Sequence, residues 1–372
     1  MKILMLSIDN SICDTSSTSY KRMKALSALV DKLDIVVLKN ASEEKIENEN
    51  LRIFSSPHSQ KFHTYFWAKK ICREKCEKEK YDVVTSQDPF HLGKLALRLG
   101  KDFGAGVELQ LHGDFFSNEY WQKEKPLNKL LIGTGLKNLK KADAIRVVSR
   151  RIRDDLIIRG IEAERIYTVP IFVDWQFLQK KDPKFSLKEK YPQFEFIALS
   201  LGRLEWVKNI DFLIQAWAEH VKNSKNDGLI IVGDGSEKES LIKLIEELGI
   251  KDNVIFEPAT DDVASYYRGA DCFILTSRYE GWGRTVVESL ACECPIIMTD
   301  VGCAGEVVRN GENGIVVPVE DRSALVEAIN KIKRPEIRKA FQEKSNEYLE
   351  KLPSAEETQN LYLESWKKAE KK

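Results

Sequence analysis

Short apolar runs alternate with amphipathic stretches along the whole chain, and the pattern stops once, midway, before starting again. The first series comprises Lys2 to Ile8, Asp34 to Leu38, Leu51 to Phe54, Asp82 to Thr85, Val107 to Leu111, Ala144 to Val148 and Ile166 to Val169. Each run is strand-length and is bounded by polar or glycine-bearing residues. The segments between them, notably near 18–31, 62–79 and 91–102, carry apolar residues at helical spacing. Strands alternating with helices bury both sheet faces, which requires a doubly wound parallel sheet. A polar stretch with Pro170, Pro183 and Pro192 then interrupts the pattern and reads as an interdomain link. The second series is Phe194 to Leu201, Leu229 to Val232, Val254 to Phe256, Asp271 to Leu275, Pro295 to Met298 and Gly314 to Val317. At 372 residues the chain is long for one core. The expectation is therefore two Rossmann-like α/β domains facing a cleft, over 1–172 and 173–353.

In open α/β sheets, ligands gather beyond the carboxyl ends of the strands. After Asp271 to Leu275 comes TSRYEGWGRTVVE, which places Glu280 and Glu288 on either side of a Gly281-Trp282-Gly283 turn. The turn joins a strand end to a helix start at Arg284 and Thr285. Such a junction gathers free N–H groups and the positive end of a helix dipole, which favours a phosphate. Glycine lets the backbone approach that anion. Glu288 falls about five residues into the helix, a rise of roughly 7–8 Å. One carboxylate then suits sugar hydroxyls and the other a ribose, since a carboxylate offers several acceptor sites. Away from such a turn, the same acids would be a loop charge and a solvated helix residue.

Other strand ends offer further groups. Arg203 and Lys208 in GRLEWVKN stand five apart in a loop that opens a helix, where two cations are suited to clamping a diphosphate. Gly233 and Gly235 in GDGS either approach a nucleotide or only make the turn. No GxGxxG occurs, which weighs against a dehydrogenase. In the first half, His112 follows a strand and precedes Gly113-Asp114; a neutral imidazole there can donate to and accept from a hydroxyl, or cap a loop. Asp88 in SQDPF has the same two readings. The serines and threonines at 15–19 either bind acceptor hydroxyls or cap the next helix.

Basic and acidic residues balance at 58 each, so charge gives no overall pull toward nucleic acid. They are distributed unevenly, with 30 basic and 24 acidic residues through Asp174 and 28 and 34 beyond it. A basic first half suits an anionic partner such as a phospholipid surface or a pyrophosphate-linked acceptor. Between Lys123 and Lys141, leucines interleave with lysines in an amphipathic pattern that suits either a membrane surface or the core. Seven cysteines show neither C-x-x-C nor zinc-site spacing, as in a reducing compartment. Met1 to Ile8 is too short for a signal peptide, and no run approaches the ~18 apolar residues of a spanning helix. The expected location is cytoplasmic, with peripheral contact at the inner face of the membrane as an option.

Taken together, GRLEWVKN, IVGDGS, EGWGRTVVE, PIIMTDVGCAGEVV and NGENGIVVP resemble the nucleotide-sugar domain of family 4 glycosyltransferases, which have the GT-B fold. The resemblance covers nearly all of residues 196–330. In the first half it rests on QDPF, LHGD, ADAIRVVSR and VPIFVD. It implies that Arg203 and Lys208 bind the donor diphosphate, Glu280 the sugar hydroxyls, Glu288 the ribose, and the backbone of Gly281 to Thr285 the phosphates. His112 matches the family's histidine near the reacting sugar, with Asp88 and Asp114 on the acceptor side. It also implies retention of anomeric configuration, no cofactor, commonly no metal, and a last helix, here within 354–372, that returns to the first domain. Two features depart from the pattern. The loop DNSICDTSSTSYKR after the first strand has no glycine, and Trp282 stands where phenylalanine is often found. The expected activity is transfer of a hexosyl unit from a UDP- or GDP-linked sugar to a glycan or lipid-linked acceptor in polysaccharide biosynthesis. The alternatives are a GT-B phosphorylase and a non-catalytic nucleotide-sugar-binding subunit.

Overall fold

A computed structural model describes residues 1–38, 45–47, 50–58 and 60–371. The chain divides into two compact units, Met1–Pro170 with Ser354–Lys372, and Ile171–Pro353. Both are doubly wound α/β units.

The first unit is built on strands β1 (Lys2–Ser7), β2 (Lys32–Val37), β3 (Lys45–Glu47), β4 (Leu51–Ser55), β5 (Val83–Ser86), β6 (Gly106–Leu111), β7 (Ala144–Val147) and β8 (Ile166–Thr168). They form one sheet in the order β3-β4-β2-β1-β5-β6-β7-β8. All pairs are parallel except β3 with β4. The strand order reverses between β1 and β5, so the loops after these strands diverge and open a crevice at their carboxyl ends.

The second unit carries β9 (Phe196–Leu201), β10 (Asp227–Val232), β11 (Val254–Glu257), β12 (Cys272–Leu275), β13 (Ile296–Thr299) and β14 (Ile315–Val317). This sheet is wholly parallel, in the order β11-β10-β9-β12-β13-β14. Its order reverses between β9 and β12. The stretch read as a link beyond Pro170 contains two short helices, Trp175–Lys180 and Leu187–Lys190, within this unit. Arg268 fastens the first of them by donating to the carbonyls of Leu178, Gln179 and Lys181.

Ile197, Leu199, Ile230, Ile231, Phe273 and Ile274 are fully buried, as strands covered on both faces require. Burial of one such side chain contributes roughly 1.5–3 kcal/mol. The helix Ala355–Ala369 starts with a capping box, in which Ser354 accepts from the Glu357 amide and Glu357 accepts from the Ser354 amide. It ends against β6. A Cβ at Gly106 would overlap the Ala369 carbonyl, so glycine at the head of β6 is what lets the helix seat there.

The amphipathic region 123–141 is two helices, Glu119–Glu124 and Pro126–Leu139, broken because the residue before proline disfavours helical backbone. Its leucines divide: Leu139 is buried, whereas Leu127 and Leu130 are 56% and 73% exposed. Among the described residues, no helix is long and apolar enough to cross a membrane.

Candidate functional site

The strand-order reversal in the second sheet brings together two loops that lie 72 residues apart in sequence. After β9 the chain runs through Gly202 to Leu204, a turn at Trp206–Lys208, and Asn209 in the left-handed region at φ 56°, which starts the helix Ile210–His220. After β12 it runs through Thr276 to Gly283. Thr276 donates to the carbonyls of Lys208 and Asn209 at 3.1 Å each, and the Arg278 amide donates to the Val207 carbonyl at 2.8 Å. These bonds hold the loops in register. As a result, Lys208 Nζ lies 2.5 Å from Glu280 Oε1, and both side chains are 17% exposed. Ser277 also donates to that carboxylate, at 2.8 Å. Arg203, by contrast, is exposed, and its guanidinium has no ion-pair partner among the described residues.

Gly233 and Gly235 sit behind the same loop. A Cβ on Gly233, whose φ is +147°, would overlap the Gly202 carbonyl, and one on Gly235 would overlap the Leu204 carbonyl. The Leu204 amide donates to the Asp234 carbonyl at 2.8 Å, and the Glu237 amide to the Leu204 carbonyl at 2.9 Å. Both glycines are therefore required by backbone packing of the loop that carries Arg203.

Gly283 forms the start of the helix Arg284–Ala291 with φ 104°, and no side chain caps it. Its first N–H groups, on Arg284 and Thr285, precede the helix's own ladder. Trp282 is buried, and the Cys303 amide donates to its carbonyl at 2.9 Å. Gly302, at φ 56°, lies directly beneath the turn: a Cβ there would overlap the Trp282 carbonyl and come within 2.9 Å of the Glu280 Cβ. Further along the helix Glu288 is buried, with the Tyr267 hydroxyl at 3.5 Å and Arg284 Nη2 at 3.3 Å. Burial pushes the Glu288 carboxyl above the usual range, partly offset by the Arg284 charge and the Tyr267 hydroxyl.

Glu257, at the end of β11, is held by Lys190 and Tyr191 and lies 3.3 Å from the Tyr266 hydroxyl. Burial raises its pKa, but the Lys190 and Tyr191 hydrogen bonds prevail and the net direction is down. Its side chain is thus committed within the protein.

In the first unit, His112 follows β6, and its Nε2 is 3.1 Å from Gln110 Oε1. Burial, together with the guanidinium charges of Arg146 and Arg22, holds the imidazole well below its ordinary pKa. Asp88 accepts from the Phe90 amide at 2.7 Å, and Asp114 accepts from Ser117 at 2.6 Å. Burial raises both carboxyl pKa values. Each therefore braces its own loop, and the two loops share an aromatic cluster of Phe90, Phe115, Phe116 and Trp121. The glycine-free loop after β1 forms a short 3-10 turn, Asn10–Cys13, capped by Asp9. Ser17 caps the helix Thr18–Ser27, and Ser19 donates to Asp9 at 3.0 Å. These serines have local capping roles.

Two contributors, Gly302 and Asn209, lie inside the stretches PIIMTDVGCAGEVV and GRLEWVKN, but their roles depend on contacts that the sequence does not show. Gly302 is twenty residues from the turn it supports, and only the φ and the close approach reveal it. Asn209 is wholly buried, with neither amide atom hydrogen-bonded among the described residues. It follows Lys208 directly, and its backbone is left-handed at φ 56°.

Comparison with known proteins covers both units. The model for Glycosyltransferase Family 4 matches residues 22–177, and that for Glycosyl transferases group 1 matches residues 182–348. N-acetyl-alpha-D-glucosaminyl L-malate synthase of Bacillus anthracis is 29% identical over 212 residues, which is 56% of this chain and 55% of that protein. The chain thus spans about half the length of this relative. An uncharacterized glycosyltransferase of Methanocaldococcus jannaschii is 27% identical over 338 residues, 86% of each chain. In fold, sucrose-phosphate synthase from Thermosynechococcus elongatus superposes with a TM-score of 0.82 at 20% identity, covering 99% of this chain and 98% of that one. With the two family models matched in chain order across two doubly wound GT-B units, the chain belongs to the family 4 glycosyltransferases.

Proposed function

We propose that the protein is a retaining glycosyltransferase that moves a hexosyl unit from a nucleoside diphosphate sugar to a hydroxyl of a glycan or lipid-linked acceptor, without a metal ion. The observation that carries this reading is the Lys208–Glu280 pair at the strand-order reversal, next to the uncapped helix start at Gly283.

The pair suits a ligand that is anionic at one end and rich in hydroxyls at the other. Lysine has three donors and a carboxylate several acceptor sites, so each retains capacity while bound to the other. Lys208 would donate to the diphosphate and Glu280 would accept from sugar hydroxyls. Arg203, exposed and without an acidic partner among the described residues, supplies a second cation for the phosphates. Glu288 would accept from the ribose, and the amides at Arg284 and Thr285 from their position would donate to the phosphate oxygens.

In the transfer, the bond from the anomeric carbon to the β-phosphate oxygen breaks and the bond to the acceptor oxygen forms on the same face. The acceptor's proton passes to the departing phosphate. Lys208, Arg203 and the helix start stabilise the charge that grows on that phosphate, and loss of one such contact costs about 3–4 kcal/mol of barrier. The reading keeps His112 near the reacting sugar, Asp88 and Asp114 as supports of acceptor-side loops, and a committed Glu257, so that base selection falls to backbone groups.

The basic charge of the first unit, with Leu127 and Leu130 exposed beside Lys123, Lys125 and Lys129, supports peripheral contact with an anionic membrane. This suits a lipid-linked acceptor. Incubating the purified protein with a panel of UDP- and GDP-sugars, and following nucleoside diphosphate release and the anomeric configuration of the product by NMR, tests the reading. Release with retained configuration is expected; phosphate-dependent release of sugar 1-phosphate, or inverted product, would contradict it.

A further inference from the structure

Three residues on one face of β6 and its extension, Glu108, Gln110 and His112, form a polar row in the first sheet. Glu108 and Gln110 are fully buried. A polar row in such a place must have its hydrogen bonds met, and the way they are met fixes the direction of each one.

Glu108 Oε2 accepts from Thr85 at 2.5 Å, from Gln110 Nε2 at 3.0 Å and from Trp366 Nε1 at 3.2 Å. Ser365 donates to Oε1. Because the Thr85 proton points to Glu108, the Thr85 oxygen is left to accept from Gln110 Nε2, at 2.7 Å. On the other side of the amide, Gln110 Oε1 accepts from Arg146 Nη2. A guanidinium only donates, so the Gln110 amide oxygen faces Arg146 and its nitrogen faces Thr85 and Glu108, a single consistent orientation. Its oxygen faces His112 Nε2 at 3.1 Å. That nitrogen must therefore carry the proton.

We propose that Gln110, oriented by Glu108 and Arg146, is a positioning residue that fixes His112 as the Nε2–H tautomer and presents Nδ1 as a hydrogen-bond acceptor to a substrate hydroxyl. Nδ1 has no hydrogen-bond partner among the described residues. The C-terminal helix takes part in this device. It supplies Ser365 and Trp366 to Glu108, and Tyr362 lies with its ring centroid 3.9 Å from the Arg146 guanidinium carbon. Residues far apart in sequence, from Thr85 through Arg146 to Trp366, thus set one histidine tautomer. The proposal rests on the glycosyltransfer reading only for the identity of the hydroxyl; the tautomer itself is a property of the free protein.

Long-range ¹H–¹⁵N correlation of histidine-labelled protein reads the tautomer without substrate. The chain has five histidines, and the His112 signals are assigned by their loss in His112→Asn. The expected result at neutral pH is a neutral ring with a pyrrole-type Nε2 and a pyridine-type Nδ1. In Gln110→Met the ring should become a mixture of tautomers, and kcat should fall about tenfold or more with little change in donor KM. Trp366→Phe, which removes one donor to Glu108 and leaves those from Thr85, Ser365 and Gln110, should leave the tautomer in place. An Nδ1–H ring or an imidazolium in the unaltered protein would overturn the proposal, even if Gln110→Met does not fold. An unchanged tautomer in a folded Gln110→Met would overturn it as well. The expected tautomer in a protein that turns over no nucleotide sugar would refute the glycosyltransfer reading and leave this inference standing.

Discussion

Replacing Gly233 by alanine separates the two roles that a glycine at this position can have. Its φ of +147° is a region that L-residues avoid, and the added Cβ would overlap the Gly202 carbonyl. The strained backbone costs on the order of 1–3 kcal/mol. Forcing a methyl into a packed contact costs roughly 1–3 kcal/mol more. The sum for Gly233→Ala is about 2–6 kcal/mol, felt before any ligand is present. For a domain of this size, 1 kcal/mol moves the melting point by about 2–4 °C, so even the lower end corresponds to a drop of roughly 4–8 °C. Scanning calorimetry of the variant and its parent, with no nucleotide present, measures it. An unchanged melting transition combined with lost nucleoside diphosphate binding would refute the packing account and show that Gly233 serves the ligand directly.

Other consequences are as direct. Gly302→Ala should displace the Glu280–Trp282 turn, because its Cβ has no room beneath it; misplacement by about 1 Å is worth on the order of 10²-fold in turnover, and near-normal kinetics would contradict this. Burial raises the folded-state pKa of Glu288 above its unfolded value, so protonation of this group stabilises the fold fully below the unfolded value and that contribution is lost as pH rises through the folded one. Glu288→Gln should remove this trend from the pH profile of unfolding. It should also abolish the weakening of donor binding as pH falls through the folded value, whereas parallel profiles for variant and parent would refute the assignment. Leu127→Asp with Leu130→Asp should abolish flotation with vesicles containing anionic lipid. Binding of the parent should weaken with salt, and vesicle binding that ignores both changes would contradict membrane contact through this surface.

The sequence pattern located thirteen of the fourteen strands among the described residues to within about two residues, because most are apolar runs buried on both faces. The remaining strand, Lys45–Glu47, is a short polar edge segment, antiparallel to β4, and its strand character comes from that partner. Much of the candidate site was also legible: the glycine turn, the two cations and the histidine all follow strand ends. What was not legible depends on which strands are neighbours. The contact of Lys208 with Glu280 requires β9 beside β12, and the Glu108 network requires β6 between β5 and β7 with the last helix against it. Asp88 and Asp114 illustrate the opposite limit, since a carboxylate at a strand end looks the same in sequence whether it meets a ligand or its own loop.

The central claim is that the Lys208–Glu280 corner holds the charged end of a nucleotide sugar during transfer. It is tested most directly by titrating parent and Lys208→Ala proteins with UDP- and GDP-sugars by calorimetry, alongside the rate of nucleoside diphosphate release. The account predicts saturable binding to the parent and, in the folded variant, turnover reduced by at least about 10²-fold, as loss of one charge-stabilising group would cause. Release by Lys208→Ala at the parent's rate, or a parent that binds neither class of donor, would contradict it.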